Sequence, residues 1–177
     1  MQGENINTQS PIWAITCYFN TSQSKQRLKN FRRFHAALSI PLIAIELSFS
    51  GEFDLDESDA DVLIKRQVSD VLWHKERLLN IAIDAVPDDC KAISWLDADI
   101  IFTDEKWHHK ALEALKHFPI IQPYSQYHDL PEHSVNIEDA FSTGPGDSVC
   151  YDSSERHGYV AVSQQRPRAV AVVFSKP

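Results

Sequence analysis

Two carboxylates one residue apart, Asp97 and Asp99, close the apolar run Ala92-Ile93-Ser94-Trp95-Leu96. Burying one bare carboxylate is expensive and burying two is worse, so something must compensate the pair. In an extended segment, residues i and i+2 project to the same face about 7 Å apart. Asp97 and Asp99 would then address one site across the small Ala98. A hard divalent cation suits such a pair. Mg²⁺ and Mn²⁺ accept one carboxylate directly and another through water, with substrate phosphates completing the shell. The competing account is a strand-end turn with Asp99 as a solvated cap.

The elements that would position this pair are legible from periodicity. Residues 11–20 (PIWAITCYFN) form an apolar, β-branched run that predicts a buried strand. Asn20-Thr21-Ser22 offers N-cap chemistry for a basic helix with Leu28, Phe31, His35 and Leu38 at helical spacing. Residues 41–49 predict a second buried strand, interrupted by Glu46. An acidic loop follows over 51–61, then a short strand over 62–68. Ser69 or Asp70 would cap a helix bearing Leu72, Leu79, Ile83 and Val86, which Pro87 stops. The fourth strand, 91–96, leads into the acid pair. Thr103 or Asp104 would cap a helix with Trp107, Ala111, Leu115 and Phe118 on its buried stripe. Residues 118–127 read as a fifth strand. Residues 1–10 read as disordered and 128–158 as one long aperiodic loop. Within 159–177, two strands suggest a hairpin across Arg166-Pro167. The order predicts a single α/β domain over 11–177, with a mostly parallel, helix-covered sheet. Ligands of such sheets bind beyond the carboxyl ends of the strands. Cys17 to Asn20, Glu46 and the Asp97/Asp99 pair all fall there.

Composition narrows the function. The net charge of −8 is wrong for general nucleic-acid binding. No apolar run approaches the length of a membrane span, and the N-terminus lacks a signal pattern. Cys17, Cys90 and Cys150 are odd in number and far apart, which suits free thiols in a reducing, cytoplasmic setting. His108 and His109 are neighbours on a helix and make no metal pair, and no nucleophile elbow supports Ser/His/Asp catalysis.

Residues 72–107, LWHKERLLNIAIDAVPDDCKAISWLDADIIFTDEKW, resemble glycosyltransferases of the GT-A fold, a Rossmann-like fold whose nucleotide-sugar half ends in a D-x-D motif after a helix carrying an Asn. ITCYFN and IAIELSF match the two preceding strands in order, and the resemblance spans about residues 11–125. It implies transfer of a sugar from a nucleotide-diphosphate sugar, such as a UDP- or GDP-sugar, to an unknown acceptor, with Mn²⁺ or Mg²⁺ as cofactor. It also implies roles for particular residues. Asp99 would be the direct metal ligand, and Asp97 would face the ribose or a metal-bound water. Glu46 would read the base or ribose. Cys17 and Tyr18 would contact the base, largely through backbone, and Asn80 would lie near the nucleotide pocket. Lys75 or Arg77 could reach a diphosphate, although a surface ion pair is the plainer account of either. Such enzymes carry their acceptor site and general base in a second half, and this chain ends about where that half would begin. Truncation of the C-terminal half is therefore the expectation. The alternative is a degenerate GT-A domain that binds a nucleotide or a protein without catalysis. A Mg²⁺-dependent nucleotidyltransferase ranks third, for want of a Gly-rich, cationic loop after the first strand.

Overall fold

The computed structural model describes residues 10–70, 74–124 and 171–175. The chain divides into two compact units, residues 1–123 with 171–177 and residues 124–170. The first unit holds β1 (Ile12–Phe19), α1 (Lys25–Ala37), β2 (Leu42–Ser48), β3 (Val62–Gln67), α2 (Lys75–Asp84), β4 (Ala92–Leu96), α3 (Trp107–Ala114), β5 (Ile120–Ile121) and β6 (Ala171–Ser175). The loop expected over 128–158, all but the last residue of the disorder expected over 1–10, the end of the strand expected over 118–127 and the first strand of the expected C-terminal hairpin lie outside the described residues.

These strands form one sheet in the order β3-β2-β1-β4-β6-β5. β3, β2, β1 and β4 are mutually parallel, and β6 runs antiparallel to both β4 and β5. This is the mostly parallel, helix-flanked α/β sheet that the sequence predicts. β2 is buried along its whole length, as a central parallel strand must be when both faces are covered. Leu96 pairs with Ala171, so the chain re-enters the sheet beside the carboxyl end of β4.

One face packs Trp13, Ile15, Ile43, Ile45, Leu47 and Ile93 against Leu78, Leu79 and Ala82 of α2. The other face carries Tyr18, whose ring meets Phe31 of α1 edge-on at 5.2 Å, and Phe31 in turn meets Phe34. Each such fully buried side chain contributes about 1.5–3 kcal/mol. Parallel strands need a crossover of a dozen or more residues. Between β2 and β3 the acidic loop supplies it without a helix. Arg32 of α1 grips Asp59 through Nε at 2.8 Å and Nη2 at 3.1 Å, and Asp61 accepts from the Leu42 N–H at 2.8 Å. The loop acids that composition reads as solubility therefore tie the crossover down.

Helix starts and edges depart from expectation. Ser24, not residues 20–22, caps α1, accepting from the Arg27 N–H. Asn20 instead braces the turn, taking the Ser24 N–H at 2.9 Å and donating to the Ser24 carbonyl at 3.1 Å. Within that turn Gln23 takes a left-handed φ of 52°, which is strained for a non-glycine residue. α2 begins six residues after Ser69, with His74 at a cap position that lacks a side-chain bond. α3 likewise starts at Trp107, and Asp104 accepts from the Lys106 N–H and the Lys110 ammonium just before it. β5 pairs over only two residues, leaving Phe118 and Ile120 exposed at a short edge. Among the described residues no helix is long and apolar enough to cross a membrane.

Candidate functional site

The carboxyl ends of β1, β2 and β4 bring the expected polar residues to one edge, but on two faces. Successive side chains of a strand alternate, so Cys17 and Tyr18 cannot look the same way. Tyr18 stands in register with Glu46 on the α1 face. Cys17 packs with the α2 cluster, as does Trp95 of β4.

On the α2 face the acid pair is not extended. The chain turns immediately after Leu96, and the Ile100 N–H donates to the Asp97 carbonyl. The turn separates the two carboxylates by environment. Asp97 is buried and Asp99 is exposed. The compensation for Asp97 is a cation from its own chain, the Lys75 ammonium, which bonds its Oδ1. Lys75 is itself buried and lies 5.6 Å from the Trp95 ring centroid. It is no surface residue, and Asp97 already carries a cationic partner. Arg77 and Asn80 stay exposed. At 100° per residue Asn80 falls on the outer side of α2, opposite Leu79 and Ala82, and the structure does not bring it into the cluster.

Electrostatics sharpen the division of labour. Surrounding protein strips hydration from the Asp99 carboxyl even though the residue remains open to solvent. This and the neighbouring Asp97 charge push its pKa to about 7, while Lys75 and Arg27 act to lower it. The Cys17 thiol is pushed up to about 11, chiefly by burial, with the Lys75 charge opposing. It is a packing thiol and not a nucleophile. Cys90 is also free and buried.

The α1 face does different work. The Glu46 carboxylate is buried and accepts from the backbone N–H groups of Asp54 and Leu55. Burial raises its pKa, and those N–H bonds partly offset the rise. Glu46 is thus neither a solvated strand-end charge nor, in this arrangement, an acid with an empty coordination sphere. It holds the crossover loop in place. The loop then presents Asp54, whose Oδ2 accepts from Tyr18 Oη at 3.0 Å and Asn20 Nδ2 at 2.8 Å. Burial and the Asp54 charge keep the Tyr18 phenol protonated. Glu46→Gln should cost about 1–3 kcal/mol, because the buried Leu55 N–H and the part-buried Asp54 N–H lose a charged acceptor. Urea denaturation would measure the loss, and amide exchange at Asp54 and Leu55 should accelerate specifically.

Sequence reasoning missed Arg27. From the first turn of α1 it reaches the end of β1, where Nη1 donates to the Phe19 carbonyl at 2.6 Å and the guanidinium stands 5.6 Å from the Phe19 ring centroid. The available signal was a first turn bearing Lys25 and Arg27 with no acid. Cations there oppose the helix dipole. Lys75 at the start of α2 breaks the same rule. Away from this edge, His108 bonds Ser39 at 3.2 Å and its ring lies 4.2 Å from that of His109, closer than helix geometry suggests. Burial lowers the His108 pKa. Among the described residues no group of three or more potential metal ligands assembles.

No family model matches the chain. No curated protein matches it either. The chain is similar to a solved structure from Desulfovibrio desulfuricans G20, provisionally described as a nucleotide-diphospho-sugar transferase, at 18% identity and a TM-score of 0.41. The match covers 63% of this chain and 57% of that one, less than two thirds of the latter's length.

Proposed function

We propose that this chain is a GT-A-like donor-binding domain that takes a nucleoside-diphosphate sugar at the carboxyl edge of its parallel sheet and serves transfer of the sugar to an acceptor. The observation that carries the reading is the split acid pair. Asp97 is fixed at the end of β4 by Lys75, and Asp99 is left open two residues later with its proton held to about pH 7. A carboxylate kept in an electronegative, partly desolvated place gains most from an incoming cation.

A divalent Mn²⁺ or Mg²⁺ fits this arrangement through Asp99. One carboxylate suffices where substrate phosphates and water complete the shell. Asp97, neutralised by Lys75, is the positioning acid and not a second ligand. When bound, such a cation supplies Lewis-acid stabilisation of the departing diphosphate. The chain's own residues do the rest of the binding. Lys75, seated near the Trp95 ring, holds Asp97 in place, and Glu46 holds the loop that carries Asp54. Tyr18, Asn20 and Asp54 form a polar rim on which the nucleoside is read. The sheet edge between the ends of β1 and β4 orients the donor.

Calorimetric titration with UDP and GDP, with Mn²⁺ and with chelator, tests the proposal. Wild type should bind at least one of them in a metal-dependent way, and Asp99→Ala should weaken binding about 10- to 100-fold. Equal binding by the two proteins, or no nucleotide bound at all, removes the reading. Hydrolysis of the matching nucleotide sugar then separates a transferase from a non-catalytic binding module.

A further inference from the structure

We propose that Arg27 is the diphosphate-binding residue of this edge. Its guanidinium, drawn over the end of β1 by the Phe19 carbonyl, would present its remaining N–H groups to phosphate oxygens lying between the ends of β1 and β4. The assignment rests on the donor-binding reading for its biological ligand, and on Arg27's own geometry for the anion.

The cations at this edge are not equivalent. Lys75 is the obvious phosphate binder by position, yet its ammonium bonds Asp97 and lies over Trp95. Arg32 is drawn to the crossover loop, gripping Asp59 through Nε and Nη2. Arg77 is exposed on α2. Arg27 is anchored at one nitrogen, Nη1, at 2.6 Å from the Phe19 oxygen, and its plane is held near the Phe19 ring. A guanidinium has five N–H donors in a rigid fork, so one anchored nitrogen fixes where the others point. That preorganisation suits paired phosphate oxygens better than a flexible ammonium does.

The position is apt as well. α1 lies on the Tyr18 face of the sheet, whereas Phe19 packs with the α2 cluster, as do Cys17 and Trp95. Arg27 therefore crosses the strand end and bridges the two faces where a ligand spanning both would pass. A diphosphate held there would have the guanidinium beside it.

The test compares wild type, Arg27→Gln, Arg27→Lys and Lys29→Gln, the last removing an exposed cation of the same helix. Each is titrated with UDP, GDP, the matching monophosphates and inorganic diphosphate, and each is checked for an unchanged thermal midpoint. Arg27→Gln should lose about tenfold or more in diphosphate affinity and most of the preference for diphosphate over monophosphate. Arg27→Lys should fall between, and Lys29→Gln should bind like wild type. Equal losses for monophosphate and diphosphate would reduce Arg27 to a brace of the β1 end and overturn the assignment. So would a matching loss in Lys29→Gln, or no binding of inorganic diphosphate and nucleotide by wild type. Inorganic diphosphate bound through Arg27 without any nucleoside diphosphate would keep this assignment and remove the donor reading.

Discussion

Lys75→Met should destabilise the protein by about 3–5 kcal/mol, a large share of the stability of an ordinary domain. The lysine and aspartate side chains are only 10% and 6% exposed. Removing the ammonium leaves the Asp97 carboxylate where water does not reach it freely, and the loss of that countercharge carries most of the penalty. Asp97→Asn should be damaging for the mirror-image reason, since the buried Lys75 ammonium would then lose its carboxylate acceptor. The double variant Lys75→Met with Asp97→Leu should recover much of the loss, because a buried ion pair replaced as a unit by apolar groups is often near neutral. Urea unfolding of all four proteins closes the cycle. Additive single losses, with no recovery in the double variant, would mean that the two residues act separately. A recovered double variant would also show what the pair is for. If it folds but no longer binds nucleotide, the ion pair is retained for the site and not for the fold.

Much of this arrangement is legible in the sequence, and the rest is hidden for identifiable reasons. β1, β2 and β4 are found within a residue or two because buried parallel strands read as continuous apolar runs, and β3, half-buried to exposed, is found from its β-branched start alone. The acid pair is found because two carboxylates after such a run demand an explanation. Its geometry is not, since extended and turned forms of Leu96-Asp97-Ala98-Asp99 share one sequence. What decides is the Ile100 N–H returning to the Asp97 carbonyl. That turn buries one acid and exposes the other. The partner of Asp97 lies 22 residues away in sequence, on a helix whose start was placed too early. Lys75 could have been singled out as a cation in a first helical turn, where the dipole disfavours it. Arg27 carries the same mark. Local rules broken in two helices that begin at one sheet edge are a signal of function. The hydrogen bonding of Glu46 is hidden because its neighbours in space, the Asp54 and Leu55 N–H groups, belong to a loop that sequence pattern treats as solvated.

Asp99→Asn should stabilise the protein at pH 8, and the gain should shrink as the pH falls through 7. The sign follows from linkage. The Asp99 carboxyl is raised in the folded state from 3.8 to about 7, so the folded chain holds this proton more tightly than the unfolded chain does. Its contribution to stability is full below pH 3.8 and is lost progressively as the pH rises to about 7. Above that, wild type keeps a charge that the fold disfavours, and the neutral amide avoids it. Below about pH 4 both side chains are uncharged and the two proteins should converge. Thermal midpoints across pH 4–9, with chelator present, measure this directly. A gain that is constant with pH would trace to packing and not to charge. Adding Mn²⁺ at pH 8 should then narrow the gap from the other side, because a cation relieves the wild-type carboxylate and finds no charged ligand in the variant. A residue that weakens the fold when charged and is rescued by a cation is one kept for binding, at the expense of stability.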